Sequence, residues 1–239
     1  MVKRAVYWFV LLLAKTLFGL FFRMRVRGRC FVPEAGALIV APSHASFTDP
    51  PAAAISLKTR RVTFMAKAFL FEPLFMGWLI STVGAFPLDK DGGEIAALRL
   101  SLKLLKEGRA VIIFPEGGRI RVDGLGKPEP GVGMLAVKSG VPVLPIYIHD
   151  SHDALKLLLQ RKLPRISTYI APPLSFPPAP TGVKKSAYYQ QVSMTVMREL
   201  WRMRCWHRMS VGLPPEPFGT WVSDPKRERP DKGEKWDIN

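Results

Sequence analysis

The sequence is poor in cysteine and in acid. Its two cysteines, Cys30 and Cys205, stand far apart in 239 residues and form no Cys-x-x-Cys pair. A disulfide framework is therefore not expected, and a reducing, cytosolic setting fits. Nineteen acidic residues face 35 lysines and arginines, a net charge of +16. That excess asks for an anionic partner: nucleic acid, an anionic membrane surface or an acidic co-substrate. No base-stacking or groove-reading motif accompanies it, so no nucleic-acid partner is expected. The sequence lacks a Gly-x-Ser-x-Gly elbow, which weighs against a serine hydrolase built on Ser43 or Ser46. Gly131-Val132-Gly133-Met134-Leu135-Ala136 fits a dinucleotide spacing but follows a Pro-rich loop rather than a strand, so that site is rejected. His149, Asp150, His152 and Asp153 have no third cluster to complete a metal site, and turn and helix-cap roles are expected of them. There is no internal repeat.

Two stretches carry the chemistry. Residues 37–41 form an apolar run of the buried-strand type, stopped by Pro42. A polar turn with His44 follows, and Asp49 comes five positions later, just before Pro50. Ser46 and Asp49 have capping-box spacing, and proline suits a helix start. His44 is therefore expected at the carboxyl end of a strand and Asp49 in the first turn of a helix, where open α/β sheets bind ligands. Imidazole takes a proton from a hydroxyl near neutral pH. A carboxylate on its other nitrogen fixes the tautomer and stabilises the imidazolium. On a regular helix, positions five apart point about 140° apart, so the pair needs the turn. The plain alternative is a histidine and a capping aspartate that never meet. The second stretch runs from strand-like residues 110–114 into Pro115-Glu116-Gly117-Gly118-Arg119-Ile120-Arg121. Glycines let backbone N–H groups approach an anion, and arginine grips phosphate with a planar fork. Its alternative is a loop turn with solvated arginines.

Together these stretches resemble the glycerolipid acyltransferase family. Its first motif, Asn-His, four residues, Asp, reads Ser43-His44 and then Asp49 here. Its third motif reads Phe114-Pro115-Glu116-Gly117-Gly118-Arg119-Ile120-Arg121, with Gly118 for the usual Thr. Between them Lys67, Pro73, Gly77 and Gly84 match, and the strand at 85–88 leads to Asp89-Lys90 where the family has Arg. Val141-Pro142-Val143-Leu144-Pro145-Ile146 matches the fourth. The resemblance spans roughly residues 36–150 and implies transfer of a fatty acyl group from a thioester, acyl-CoA or acyl-carrier protein, to the free hydroxyl of a lysophospholipid. The foremost acceptor is 1-acylglycerol-3-phosphate, giving phosphatidic acid; another lysolipid, an amino-acid lipid, or lipid binding without catalysis are the alternatives. It further implies His44 as base and Asp49 as its orienting partner. The resemblance also implies that Lys67, Glu116, Gly117, Arg119 and Arg121 hold the acceptor's phosphate and that no metal or cofactor takes part.

Around this core, an apolar stretch from Ala5 to Phe22 is followed by Arg23, Arg25, Arg27 and Arg29. As a helix it would be about 27 Å long, marginal for a hydrocarbon core of about 30 Å. Lys15 lies inside it, where a charge costs about 2.5–3.5 kcal/mol. Only arginines follow, with no small-residue cleavage site, so a cleaved signal peptide is not expected. A helix held in one leaflet or at the interface fits best, with a single span second. Alternation of strands and helices predicts an α/β fold: a mixed, mainly parallel sheet sandwiched by helices, with an N-terminal membrane-associated helix. The expected organisation is a membrane-associated helix and basic flank (1–29), an acyltransferase domain (30–210) and a Pro-rich, poorly ordered tail (211–239). The expected location is membrane-associated, on the cytoplasmic face.

Overall fold

The computed structural model describes residues 2–58, 60–88 and 93–224. Along the chain run α1 (Val2–Phe21), β1 (Arg25–Arg27), β2 (Leu38–Pro42), α2 (Asp49–Ser56), β3 (Val62–Lys67), α3 (Leu74–Thr82) and β4 (Ala85–Leu88). They are followed by α4 (Gly93–Lys106), β5 (Ala110–Ile112), α5 (Gly131–Ser139), β6 (Val143–His149), α6 (Ala154–Leu159), β7 (Ser167–Ile170) and α7 (Lys185–Ser210). Among the described residues the strands form one sheet in the order β1-β7-β6-β2-β5-β3-β4. The β6–β7 pairing is antiparallel and the others are parallel, the mixed, mainly parallel sheet that the sequence predicts. Asp89 and Lys90, the departure from the family's Arg, lie outside the described residues, as does Trp236.

The central strand β2 is buried throughout, which is why it reads as an unbroken apolar run. Period-two alternation divides its side chains between two cores. Leu38 and Val40 join Ile112, Leu144 and Ile146 beneath α2 and part of α1. Ile39 and Ala41 join Val111 and Val143 beneath α4, α5 and α7. The sheet is thus sandwiched as expected. Gly133 has a packing reason: a Cβ there would meet the Tyr189 carbonyl oxygen of α7 at 2.0 Å. That close approach accounts for one glycine of the rejected dinucleotide pattern.

Two expectations change in detail. The alternation of basic and other residues from Arg25 to Phe31 predicts an edge strand, but the strand ends at Arg27, and Arg29–Phe31 is a 3-10 turn. Gly28 takes φ +82 there, against the Ile170 carbonyl oxygen. The stretch from Ala68 to Thr82, apolar nearly all round, forms a 3-10 turn (Ala68–Phe71) and α3, with Pro73 at the helix start. The tail departs most from expectation. Poor order is expected from its proline content, yet residues 214–224 lie against α7 and the loop after β5. The Trp201 indole donates to the Glu216 carbonyl, Phe218 packs edge-on against Trp201 and Trp221, and the Val222 N–H donates to the Leu125 carbonyl. Three aromatic rings and a buried arginine supply contacts that composition conceals.

Helix α1 is docked along one face only. Tyr7, Phe18 and Phe22 are buried, and the Tyr7 hydroxyl accepts the Val62 N–H at the start of β3. Phe9, Leu12, Leu13, Leu17 and Leu20 are exposed, as are Leu74, Phe75 and Trp78 on neighbouring α3. Among the described residues, no helix is long and apolar enough to cross a membrane.

Candidate active site

At the carboxyl edge of the sheet, β2 and β5 lie side by side, with Val40 level with Ile112. The two chemistry-bearing turns therefore emerge next to each other although 72 residues separate His44 from Glu116. The His44 Nδ1 lies 2.9 Å from Asp49 Oδ2, so the two residues meet. The same carboxylate oxygen accepts the Ala45 N–H at 2.6 Å and the Ser46 N–H at 2.7 Å. Half of the expected capping box is thus realised; the Ser46 hydroxyl accepts the Thr48 N–H instead of the amide of Asp49. Asp49 is fully buried at the first position of α2, where the helix dipole favours its charge.

His44 is clamped on every other side as well. Its backbone N–H donates to Glu116 Oε2 at 2.8 Å, and its carbonyl accepts the Ile120 N–H at 2.7 Å. Its ring stacks on Phe114, with centroids 3.8 Å apart. The remaining ring nitrogen, Nε2, is the one left for an external hydroxyl, and 14% of the His44 side chain is exposed. Ser43 does not face this histidine as a nucleophile would. Its hydroxyl accepts the Ile148 N–H at 2.9 Å, extending the β2–β6 pairing. The Ser46 hydroxyl accepts the Thr48 N–H, and neither serine is hydrogen-bonded to His44 among the described residues.

The second turn separates into two kinds of residue. Glu116 is buried, and its carboxylate accepts the His44 and Gly126 N–H groups. It faces backbone donors and braces the loop that carries the base. Gly117 takes φ +64, and its N–H donates back to the Phe114 carbonyl, so it supplies the turn. Arg119 and Arg121 project beyond. The Arg119 guanidinium lies over the Phe47 ring, 3.7 Å from the centroid. Burial lowers its pKa; nearby Arg121 adds to this, and Asp224 and Asp49 oppose it. Arg121 pairs with Asp224 from the tail. Lys67 ends β3 on the same sheet edge, two strands from β2, or roughly 10 Å across. Phe47, Phe114 and Asp224 were not flagged by sequence reasoning. Phe114 belongs to a quoted motif, whereas nothing local marks Phe47 or Asp224.

The expected turn role of the 149–153 region holds for Asp150, which has φ +61. Asp153 stands at the N-cap of α6 but makes no side-chain cap hydrogen bond. Among the described residues, no group of three or more His, Cys, Asp or Glu could hold a metal ion.

At one strand edge of the α/β sheet, a His–Asp pair with a fully buried carboxylate thus stands beside an arginine turn. The profile of the family described as Acyltransferase matches residues 23–149, and the chain belongs to that family. It is 34% identical over 126 residues to the 1-acyl-sn-glycerol-3-phosphate acyltransferase of Streptococcus pneumoniae, covering 52% of this chain and 46% of the relative. It is 29% identical over 144 residues to the lyso-ornithine lipid O-acyltransferase of Pseudomonas aeruginosa, covering 60% and 54%. The chain thus spans about half the length of these curated relatives. Its fold is similar to the crystal structure of the 1-acyl-sn-glycerophosphate (LPA) acyltransferase PlsC from Thermotoga maritima. The TM-score is 0.63 at 25% identity, over 85% of this chain and 80% of that one.

Proposed function

We propose that the protein transfers a fatty acyl group from a thioester to the free hydroxyl of 1-acylglycerol-3-phosphate, forming phosphatidic acid. The observation that carries this reading is the clamped His44, held at Nδ1 by Asp49 and presenting Nε2 at the sheet edge. The Nε2 atom takes the hydroxyl proton as the acceptor oxygen attacks the thioester carbonyl. Asp49 keeps the proton on Nδ1 and stabilises the imidazolium. The tetrahedral intermediate collapses, the C–S bond breaks, and the imidazolium returns its proton to the leaving thiolate. No acyl-enzyme is needed, because the acceptor is itself the nucleophile. Arg119, Lys67 and Arg121 hold the acceptor's anionic head within reach of the base. Glu116 and Gly117 act indirectly, by shaping the turn that carries the arginines. Positioning of this kind supplies up to about 7–11 kcal/mol of barrier reduction.

The donor is acyl-CoA or acyl-carrier protein, and the protein works at a membrane surface, on the cytoplasmic side. The exposed apolar faces of α1 and α3 and the net charge of +16 support that location. Similarity to a lyso-ornithine lipid enzyme favours a second acceptor class, an amino-acid lysolipid.

The test is product formation from acyl-CoA, or acyl-carrier protein, with lysophosphatidic acid in detergent, followed by mass spectrometry. Phosphatidic acid is expected from the wild type and not from folded His44→Ala. Undiminished product from that variant would remove His44 from the chemistry. Failure with both donors, alongside turnover of lyso-ornithine lipid, would transfer the reading to the second acceptor.

A further inference from the structure

The proposed reaction accounts for His44, Asp49, Arg119 and Lys67, but not for the tail that returns to the site. Residues 214–224 cross the far side of the 121–126 loop, and each part of the crossing is fastened. Arg204 of α7 is 97% buried and donates to Asp123 through both terminal nitrogens, at 2.7 and 2.9 Å. It also donates to Glu216 through Nε at 2.8 Å and Nη2 at 2.9 Å, and to the Tyr147 hydroxyl at 2.9 Å. All five guanidinium N–H groups are satisfied. One side chain therefore ties the loop after the arginine turn to the start of the strap. Farther along, the Val222 side chain fills the space beside Gly124, where an added Cβ would come within 2.6 Å of it. The strap delivers Asp224, whose side chain is 1% exposed, to Arg121.

We propose that Asp224 is an acceptor-specificity residue, an internal anion that competes with the acceptor's phosphate for Arg121. The inference rests on the acceptor reading above. Geometry and charge carry it: a carboxylate occupies the position toward Arg121 that an anionic head group would take. Arg119, one turn position away, is close enough to feel the charges of both Arg121 and Asp224. With Asp224 in place, the site is one charge less positive than its motif suggests, and a dianionic head binds less tightly than two unopposed arginines would hold it. A residue that served only to hold the strap would act in the opposite sense, because its loss would loosen the loop and weaken binding.

The full chain in detergent micelles tests this. Asp224→Asn is expected to lower the KM for lysophosphatidic acid about two- to fivefold, the range of a partly exposed ion pair, with kcat little changed. Asp224→Glu keeps the charge and is expected to keep the wild-type KM. Arg121→Ala is expected to raise KM more in the Asp224→Asn background than in the wild type. Isothermal titration with glycerol 3-phosphate, which needs no turnover, is expected to show tighter binding to Asp224→Asn. That tighter binding without turnover of any variant would overturn the acceptor reading and leave the role of Asp224 standing. An unchanged or raised KM in Asp224→Asn with an unaltered melting temperature, or no gain in glycerol 3-phosphate binding, would overturn the proposal.

Discussion

The two turns at the sheet edge are built in opposite ways. The His44 turn is local: Asp49 lies five residues from its histidine and accepts the two amides between them. Tertiary structure adds the Phe114 stack and the Glu116 brace, but the His44–Asp49 pair belongs to one strand–turn–helix unit. The arginine turn is assembled from distant chain. Arg119 rests on Phe47, and Arg121 meets a carboxylate 103 residues away. The proposed base is thus held to its carboxylate by short-range geometry, whereas the proposed anion-binding side is open to adjustment by whatever the fold brings to it. Such a division suits a transferase in which the chemistry is constant and the acceptor is selected.

The largest effect expected is from breaking the local unit. Asp49→Asn removes the acceptor that sets the His44 tautomer, and kcat is expected to fall by about 10²–10⁴ with the acceptor KM little changed. Steady-state kinetics on folded protein would show this; an equal loss in KM would make Asp49 a binding residue.

Next comes the hub of the assembled side. Arg204→Met leaves Asp123 without its bidentate partner and Glu216 with Arg208 alone, and a loss of about 2–3 kcal/mol is expected. That is below the usual 3–5 for breaking a buried pair, because Asp123 is half-exposed. Urea unfolding measures it. The pH dependence has a definite sign. Hydrogen bonds from Arg204 hold both carboxylates below their ordinary values of 3.8 and 4.5. Their stabilisation is therefore complete above those values and is lost as pH falls through the depressed ones. Below pH 4.5 the wild type is expected to lose stability more steeply than Arg204→Met.

Arg119→Ala is expected to raise the acceptor KM by an amount equivalent to about 1.5–3 kcal/mol, as for a charge-assisted hydrogen bond. An unchanged acceptor dependence would remove Arg119 from the site. Phe47→Leu is the mildest change. It removes the ring under Arg119, and a KM change equivalent to about 0.5–1 kcal/mol is expected, the worth of an exposed cation–π contact. A Phe47→Leu effect as large as that of Arg119→Ala would mean that the ring itself touches substrate.

Much of this was legible before the fold. The apolar run into Pro42, the His44–Asp49 spacing and the ordered motifs were sufficient for the α/β class and for the meeting of His44 with Asp49, because those features are short-range. The position of Glu116 was also legible, but its direction was not. A carboxylate in a motif with arginines reads as part of an anion site, yet here it faces backbone N–H groups. Of the tail, residues 225–239 lie outside the described residues, and the contacts of 214–224 were not legible. Prolines and mixed charge suggest poor order, and no local pattern shows that Glu216 meets Arg204 or that Asp224 meets Arg121.

Periodicity, turn chemistry and motif order were enough to establish strands feeding polar turns, a base with its carboxylate, and arginines nearby. Those properties follow from backbone geometry over a few residues. The adjacency of the two turns, the stack under His44, the ring under Arg119 and the internal anion at Arg121 were decided by tertiary structure alone. Each joins residues distant in sequence, and only the packing of β2 beside β5 and of the strap against α7 brings them within hydrogen-bonding distance.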